Sequence, residues 1–440
     1  MNSKEKTARV PTALFLLLVC LCLAAVFVAR SADMAAPTSD WPQWRGPERN
    51  GISRETGLLK QWPTAGPKLL WQVNDIGDGF STPAVVGTRI YVMSNRGMEN
   101  EFVQALSTQD GKPIWTTRVG NVGNPNQNPP YPKARSTPTV DGDSIYALGS
   151  DGDLACLETG SGKIRWQKSL RQEFGGKPGE WAYAESPLVD GDVLVATPGG
   201  AQATIVALNK KTGALIWKSA VPDGDPAGYA SAIVVQAAGR KQYVQFLSKG
   251  IVGVDAKTGE FLWRYKEVAK GPAQAFTPVA RDEYVYGGAL GMGGGLVRLK
   301  QNGASVPAEQ VYFKRGLPNG FGGAVLVGDY LYGGEVTDHL LAVEFTTGKV
   351  MWTTENIGMA SLAYAEGLLY VHDANGAVAL VEATPDAFRE RSRFTPPAPP
   401  QHKKEGDYAE RAYAYPVIAN GRLYIRDLGS LWAYDIKASR

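Results

Sequence analysis

Apolar and polar residues alternate along most of this chain in short segments separated by turns that contain glycine. Residues 138–140 form one such segment, the turn Asp141-Gly142-Asp143 follows, and residues 144–148 form a second. Alternation with a period of two predicts a strand with one buried face, and a short glycine-containing turn between two strands predicts an antiparallel hairpin. The chain is therefore predicted to be all-β.

A longer repeat is superimposed on this alternation, because a glycine is followed four residues later by a tryptophan at five places. A small residue and an aliphatic one precede each glycine by six and five positions. With 51 Gly and 11 Trp in 440 residues, chance would give roughly one such pair, so the pattern is a repeat. The five pairs are Gly111/Trp115, Gly162/Trp166, Gly213/Trp217, Gly259/Trp263 and Gly348/Trp352.

The spacing of the tryptophans predicts a β-propeller of four-stranded blades. Successive repeat tryptophans lie 51, 51, 46 and 89 residues apart. The last interval is two periods, so the unit at Tyr312-Phe313 has lost its tryptophan. A period of about 30–50 residues holds four short strands, which is typical of a propeller blade rather than a helical solenoid. The first strands of eight blades are predicted to begin at Pro83, Pro138, Pro187, Ala232, Pro278, Ala324, Leu362 and Pro416.

The eighth blade, from about Tyr415 to Ile436, has only three predicted strands. The segment 69–73 is the one tryptophan-bearing strand with no blade before it. We expect it to supply the missing outer strand, because pairing the two ends of the domain closes the ring and removes an exposed sheet edge. The propeller is thus predicted over residues 68–436, with a long loop at 395–414.

The repeat residues have predicted structural roles. The tryptophans Trp115, Trp166, Trp217, Trp263 and Trp352 are expected to be buried docking residues whose indole N–H reaches a backbone carbonyl. Cys156 stands in the small-residue position, which favours a buried cysteine in place of alanine over the alternative of a reactive thiol.

The first 31 residues have the pattern of an export signal. Three positive charges and one negative charge precede the apolar run 10–29. That run approaches the roughly 20 residues that span a bilayer, so the segment is either a cleaved signal peptide or an N-terminal membrane anchor. Both alternatives predict a periplasmic or extracytoplasmic protein, with anchoring to the inner membrane under the second. Residues 32–67 then form a Trp/Pro-rich entry segment.

Charge and composition exclude several functions. The chain has 46 Lys and Arg and 43 Asp and Glu; four of the former and one of the latter lie in residues 1–31, so the remainder carries 42 of each. A neutral body argues against a nucleic-acid-binding surface. Cys20 and Cys22 lie in the leader, which leaves Cys156 without an internal disulfide partner. The three histidines fall in different units, so no metal site is predicted.

The unit that runs from Val254-Asp255 through Thr258-Gly259 to Trp263 closely resembles the pyrroloquinoline-quinone-type (PQQ-like) propeller repeat. The segment 40–47, followed by Asn50-Gly51, looks like the entry segment of exported single-domain members of that family. Two functional classes share the repeat: the quinoprotein alcohol and sugar dehydrogenases, and the non-enzymatic scaffold represented by the outer-membrane assembly component BamB.

The resemblance implies two candidate functions. The first is an exported, non-catalytic propeller that serves as a protein-binding scaffold in the cell envelope, with an envelope protein or peptide as its partner and no cofactor. The alternative is a PQQ-dependent alcohol or sugar dehydrogenase, in which the quinone lies between a tryptophan and an adjacent-cysteine disulfide, with calcium held by Glu, Asn and Asp. Because the body contains no adjacent cysteines, we favour the scaffold.

A site is expected over the central channel, where the loops that enter the first strands converge. Three long loops, 117–134, 168–184 and 395–414, feed this region. The alternative is that its aromatic residues merely plug the channel and Arg135 pairs with Glu185. Repeat alignment places six large or charged residues in one ring that could bind a peptide or a small polar ligand: Arg135, Glu185, Tyr229, Phe276, Phe321 and Tyr413.

Overall fold

The structure is a computed structural model that describes residues 39–123, 133–303, 305–336, 339–357, 359–399, 412 and 414–438. The chain divides into residues 1–38 and a compact unit formed by residues 39–440. The predicted leader, the site residue Tyr413 and most of the second half of the loop 395–414 lie outside the described residues. Among the described residues, no helix is long and apolar enough to cross a membrane.

Eight four-stranded antiparallel blades form the ring, one of them extended by a short parallel strand, so the predicted eight-bladed β-propeller is confirmed. We number the blades in chain order. The strands of blades 1 to 4 are Ala84–Val86, Arg89–Asn95, Glu101–Ser107 and Pro113–Gly120; Thr139–Asp141, Ser144–Leu148, Asp153–Glu158 and Ile164–Ser169; Leu188–Asp190, Val193–Ala196, Ile205–Asn209 and Leu215–Ser219; and Ile233–Ala237, Arg240–Leu247, Gly250–Asp255 and Phe261–Tyr265.

The strands of blades 5 to 7 are Val279–Arg281, Tyr284–Ala289, Gly293–Leu299 and Ala308–Lys314; Ala324–Val327, Tyr330–Glu335, His339–Glu344 and Lys349–Thr354; and Ala360–Ala365, Leu368–Asp373, Val378–Glu382 and Glu390–Phe394. Helical structure is limited, in the part of the chain that the structure describes, to the helix Leu170–Phe174 and the 3-10 helix Glu267–Lys270. In most of the ring the first strands of adjacent blades contact each other, which places these strands at its centre.

Blade 8 joins both ends of the described chain, as predicted. Its strands are Val417–Ala419, Arg422–Asp427, Ser430–Asp435 and the N-terminal strand Lys68–Val73. The last two run antiparallel, with Leu69 opposite Tyr434 and Val73 opposite Leu431. The buried Arg426 fastens this blade to blade 1, because its guanidinium donates to the carbonyl oxygens of Ser81 at 2.9 Å and Met93 at 2.7 Å.

The outer strands couple each blade to the next through the repeat residues. Trp115 Nε1 donates to the carbonyl of Thr159 in the next blade at 3.1 Å, and the glycine of that blade, Gly162, lies against the Trp115 ring with a φ of +72°. A side chain at Gly162 would collide with the indole. The glycine of the repeat therefore leaves room for the tryptophan of the preceding blade. The same N–H to carbonyl contact is made by Trp71, Trp166, Trp217 and Trp352.

Blades 4 and 5 depart from this scheme, and of the two only the repeat unit of blade 5 is degenerate. Trp263 Nε1 donates within its own blade, to Gln242 Oε1 at 2.7 Å. In blade 5, Tyr312 stands in place of the lost tryptophan and its hydroxyl donates to the Phe345 carbonyl of blade 6 at 2.7 Å. Among the five predicted docking residues, Trp217, Trp263 and Trp352 are buried, whereas Trp115 and Trp166 are half-buried. Cys156 is buried between blades 2 and 3, and burial raises the pKa of its thiol.

Candidate binding site at the channel mouth

The entry segment, from residue 39 onward, runs into the centre of the ring and crosses it. Trp41 exchanges two backbone hydrogen bonds of 2.8 Å with Val85 of blade 1. Trp44 Nε1 donates to Thr277 Oγ1, before the first strand of blade 5, at 3.1 Å. Blades 1 and 5 lie opposite each other in an eight-bladed ring, so these contacts span the channel.

Two buried arginines of the same segment bind backbone carbonyls on other blades. The Arg49 guanidinium donates to the carbonyls of Ser186, at 2.8 Å, and Pro187, at 3.1 Å, beside blade 3. Arg45 donates to the Ala324 carbonyl of blade 6. Burial lowers the pKa of both side chains, that of Arg49 to about 9. The entry segment therefore fills the channel with side chains that are held by the inner strands.

The segment ends by pairing with the last two blades. The short strand Ile52–Ser53 adds in parallel to the first strand of blade 7. The Glu55 carboxylate accepts a hydrogen bond of 2.6 Å from the Gly421 backbone N–H in blade 8. These contacts attach this part of the entry segment to blades 7 and 8.

A cavity of about 610 Å³ opens above the entry segment, at the loops that lead into the first strands. This volume lies within the range of about 300–1,000 Å³ that is typical of ligand pockets. Its described lining is mostly aromatic and aliphatic, with one charged side chain, Arg135. The lining residues are Trp44, Phe80, Arg135, Trp181, Ala184, Tyr229, Pro272, Ala273, Ala275, Leu290, Gly291, Met292, Phe321, Val336 and Tyr415.

Trp44 and Tyr415 form one aromatic side of the cavity. Their rings meet edge to face, with centroids 4.6 Å apart. The Tyr415 hydroxyl donates to the Phe321 carbonyl at 3.1 Å, and the Arg45 guanidinium lies 5.9 Å from the Tyr415 ring centroid. Burial raises the pKa of Tyr415 to about 12, although the nearby Arg45 acts in the opposite direction. The phenol therefore stays neutral at physiological pH.

Arg135, Trp181 and Tyr229 form the polar side. Arg135 Nη1 donates to the Trp181 carbonyl at 2.7 Å, and the Tyr229 hydroxyl accepts from the Trp181 backbone N–H at 3.2 Å. The Trp181 and Tyr229 rings pack with centroids 5.6 Å apart. Burial lowers the pKa of Arg135 to about 10, against the attraction of Glu101 and Tyr229. Arg135 is thus still a cation at neutral pH.

Two buried glutamates lie behind the cavity wall, between blades. Glu101 accepts from the Ser150 backbone N–H at 2.8 Å and from its hydroxyl at 2.7 Å. Glu185 accepts from the Thr197 N–H and from Gln245 Nε2, the latter at 2.9 Å. Burial raises the pKa of each carboxyl to about 7, and these hydrogen bonds oppose the shift.

The structure brings together three of the six residues predicted for the ring: Arg135, Tyr229 and Phe321 line the cavity. Glu185 and Phe276 are not among the described lining residues. Phe276 is buried and packs edge to face on Tyr286, with centroids 5.6 Å apart. Both follow, by one position, an alanine that does line the cavity, and adjacent residues of an extended segment point to opposite sides.

Sequence reasoning missed Trp44, Trp181 and Tyr415 as lining residues. The signal for Trp181 was its position in the long loop 168–184. Trp44 lies in the entry segment, which has no repeat partner with which it could be aligned. Tyr415 stands where blades 1 to 5 carry a small hydroxyl residue, for example Thr82 and Ser186.

The fold is that of a PQQ-like β-propeller, with an aromatic cavity at the mouth of its channel. A family model described as outer membrane protein assembly factor BamB matches residues 52–177 and 99–354. These matches cover more than half of the chain, and the chain belongs to this family.

Individual relatives agree with that assignment. The outer membrane protein assembly factor BamB of Yersinia pestis is 23% identical over 337 residues, which are 70% of this chain and 77% of that protein. The BamB of Moranella endobia (strain PCIT) is 29% identical over 125 residues, 27% of this chain. The match covers 31% of that relative, less than a third of its length.

Solved structures support the fold. BamB from Moraxella catarrhalis superposes with a TM-score of 0.59 at 16% identity, covering 86% of this chain and 99% of that one. Quinohemoprotein alcohol dehydrogenase from Comamonas testosteroni gives a TM-score of 0.53 at 14% identity, covering 94% and 82%. The propeller is thus shared by proteins with and without dehydrogenase names, and function must be argued from the site.

The described lining of the cavity does not fit the quinone and calcium of the dehydrogenase class. Within the described ranges, no group of three or more His, Cys, Asp or Glu side chains could hold a metal ion. The described cavity lining contains no carboxylate and no thiol, and Cys156 is buried between blades. No catalytic step through that cofactor is therefore derived.

Proposed function

We propose that this protein is an exported, non-catalytic propeller that binds proteins of the cell envelope, with the channel-mouth cavity as its contact site. The observation that carries the proposal is the cavity itself: an aromatic pocket that contains one cation and no described acid, base or nucleophile suited to catalysis. Aromatic and arginine side chains dominate binding energy at protein interfaces. Residues 1–31 serve as the export signal or anchor in this proposal.

Family membership supports the same function. The relatives named above are called outer membrane protein assembly factors. We extend to this chain the role of a scaffold that binds envelope proteins or peptides, in the periplasm or at a membrane facing it. The propeller over residues 68–436 is the binding domain, and the entry segment shapes its site.

Site-specific photocross-linking tests this proposal. A photoreactive phenylalanine analogue is placed at Phe321, on the cavity, or at Ile216, an exposed residue on the outer strand of blade 3. After irradiation in cells, we expect discrete adducts with envelope proteins from position 321 and none from position 216. Adducts from both positions alike, or from neither, would contradict the cavity as the contact site.

The dehydrogenase alternative has its own test. The purified protein is incubated with pyrroloquinoline quinone and calcium, and dye reduction is followed with alcohols and sugars. We expect neither a stoichiometric chromophore nor turnover. Binding of the quinone together with dye reduction would replace the scaffold by the enzyme.

A further inference from the structure

The cavity owes its volume to two positions that carry small side chains. The position three residues before the predicted start of the first strand lines the cavity in six blades. In blades 1, 4 and 6 it carries a large aromatic side chain, namely Phe80, Tyr229 and Phe321. In blades 3 and 5, on either side of Tyr229, it carries Ala184 and Ala275. The space that an aromatic side chain would fill in these two blades is therefore left open.

Aromatic rings form the walls around this open space. Trp44 packs edge to face on Tyr415 with centroids 4.6 Å apart, and Trp181 packs on Tyr229 with centroids 5.6 Å apart. Met292 also lines the cavity. A further ring gains energy against such rings beyond the apolar area that it buries, and a methionine sulfur also contacts rings favourably. The lining therefore favours an aromatic group over an aliphatic one.

The charged and phenolic groups of the described lining already have partners within the protein. Arg135 Nη1 donates to the Trp181 carbonyl at 2.7 Å, and the buried Glu101 carboxyl attracts its guanidinium. The Tyr229 hydroxyl accepts from the Trp181 backbone N–H at 3.2 Å, and the Tyr415 hydroxyl donates to a backbone carbonyl at 3.1 Å. A charged ligand group would give up its hydration beside groups whose bonds are already made, which is costly. The lining therefore favours an uncharged ligand.

The floor of the cavity determines which part of a partner protein can enter. The entry segment contacts blades 1, 3, 5 and 6 across the centre of the ring, so a polypeptide cannot thread through, and side chains enter only from the mouth. Both ends of a polypeptide carry a charge, so the interior of a loop fits this lining better than a terminus does. A volume of about 610 Å³ is of the size that holds drug-sized molecules, which are larger than one side chain.

We propose that the cavity binds two neighbouring aromatic side chains in a loop of a partner protein, and that Ala184 and Ala275 make room for them. One ring packs against the Trp44 and Tyr415 pair, and the other against Trp181. This inference rests on the proposed scaffold function and specifies which feature of the partner the scaffold recognises. Small free aromatic molecules share the chemistry and are therefore included in the test.

The first test compares uncharged and charged peptides on the purified exported protein by isothermal titration calorimetry. The probe is Gly-Ser-Gly-Trp-Phe-Gly-Ser-Gly, acetylated at its N-terminus and amidated at its C-terminus. Replacing its Phe by Glu or by Lys should weaken binding by roughly 10-fold or more, because the charge loses its hydration. Replacing Trp-Phe by Leu-Leu should weaken it by roughly 2- to 10-fold. Absence of binding by the Trp-Phe peptide, or equal affinity for a charged or the Leu-Leu peptide, overturns the proposal.

Variants then locate the two rings. Ala275→Phe and Ala184→Phe should each fill part of the cavity and weaken binding of the Trp-Phe peptide by roughly 10-fold or more. Their melting temperatures should stay close to that of the wild type, because blades 1 and 6 hold a phenylalanine at the equivalent position. The matched control is Ala214→Phe, at an exposed alanine just before the outer strand of blade 3, which should bind like the wild type. Folded Ala275→Phe and Ala184→Phe proteins that bind the peptide as the control does contradict the assignment.

Competition separates the two sources of aromatic groups. We expect N-acetyltryptophanamide to displace the Trp-Phe peptide only at concentrations far above the peptide's own dissociation constant. Displacement at equal concentration would make a free small molecule the ligand and overturn the protein loop. If cross-links form at position 321 while the aromatic, charged and Leu-Leu peptides bind alike, the scaffold function stands and this inference alone fails.

Discussion

The outer wall of the ring and its central channel are built on different principles. Along the wall, one contact recurs in six of the eight blades: an aromatic side chain on the outer strand donates to the next blade's carbonyl, as Trp166 does to Lys210 and Tyr312 to Phe345. In the channel, each contact occurs once, made by an entry segment whose Trp44, Arg45 and Arg49 each bind a different blade. The repeated contacts hold neighbouring blades together, whereas the entry segment, which has no repeat, shapes the cavity.

The largest effect that should separate these regions is on stability. Trp217 is buried and its Nε1 donates to the Ala256 carbonyl at 3.2 Å, so Trp217→Ala should lose the apolar burial and the link to blade 4. We expect a cost of about 3–5 kcal/mol in the free energy of unfolding, measured by urea denaturation. Leu215→Ala, on the same strand but 48% exposed, should change it by less than about 0.5 kcal/mol. A Trp217→Ala protein as stable as that control would show that the outer contacts do not hold the ring.

A smaller effect tests the role assigned to the repeat glycine. A methyl group at Gly259 would lie 2.4 Å from Trp217 Cε3, and φ there is +74°. Gly191 has a similar φ of +59° with nothing within 4 Å of the added carbon. Both Gly→Ala changes should lower the free energy of unfolding by roughly 1 kcal/mol, because the backbone is left-handed there. Gly259→Ala should lower it by about 1–3 kcal/mol more, because the added methyl group clashes with the indole. Equal unfolding midpoints for the two variants would refute the packing role.

The smallest expected effect is a pH dependence that belongs to the inner junctions. The folded-state pKa of Glu185 is about 7, above its ordinary value of 4.5, because the carboxyl is buried. Over that interval the folded protein binds more protons than the unfolded chain, so stability falls as the pH rises from 4.5 towards 7. Between pH 6 and pH 7 this amounts to about 1 kcal/mol or less for this residue.

Glu185→Gln should reduce the fall in stability with rising pH. The control is Glu260→Gln, on the exposed outer turn of blade 4, which should leave this pH dependence as in the wild type. Glu101 contributes with the same sign, since burial likewise raises its pKa to about 7. The measurement is the free energy of unfolding at pH 5, 6, 7 and 8. An unchanged slope in Glu185→Gln would mean that its carboxyl is already ionised in the folded protein.

The same contrast explains what the sequence could predict. The wall could be derived because each blade supplies the same residues at the same spacing, so even the closing strand Lys68–Val73 was found from its tryptophan. The lost tryptophan of blade 5 was also located from the period, although its replacement by the Tyr312 hydroxyl required the structure. Where units repeat, residues that align in sequence lie at equivalent places in the ring.

The residues that line the cavity could be predicted from the sequence only at positions that repeat from blade to blade. Arg135, Tyr229 and Phe321 occupy equivalent positions before their strands and all line the cavity. Glu185 lies one position after the lining residue Ala184 and is not among the described lining residues, because a shift of one residue reverses the direction of a side chain. Trp44 reaches blade 5 from 233 positions away in the chain, a contact that no local pattern encodes.

The closure of blade 8 also determines the order in which this molecule can fold. The carboxylate of Glu55 receives its hydrogen bond from Gly421, 366 positions later in the chain. Until that partner has been synthesised, the strand Lys68–Val73 lacks the strand with which it pairs. Contacts between distant parts of a chain form slowly and leave strand edges open to other molecules meanwhile. We therefore expect ring closure to be a late step in folding, and the edges of the strands in blade 8 stay unpaired until it occurs.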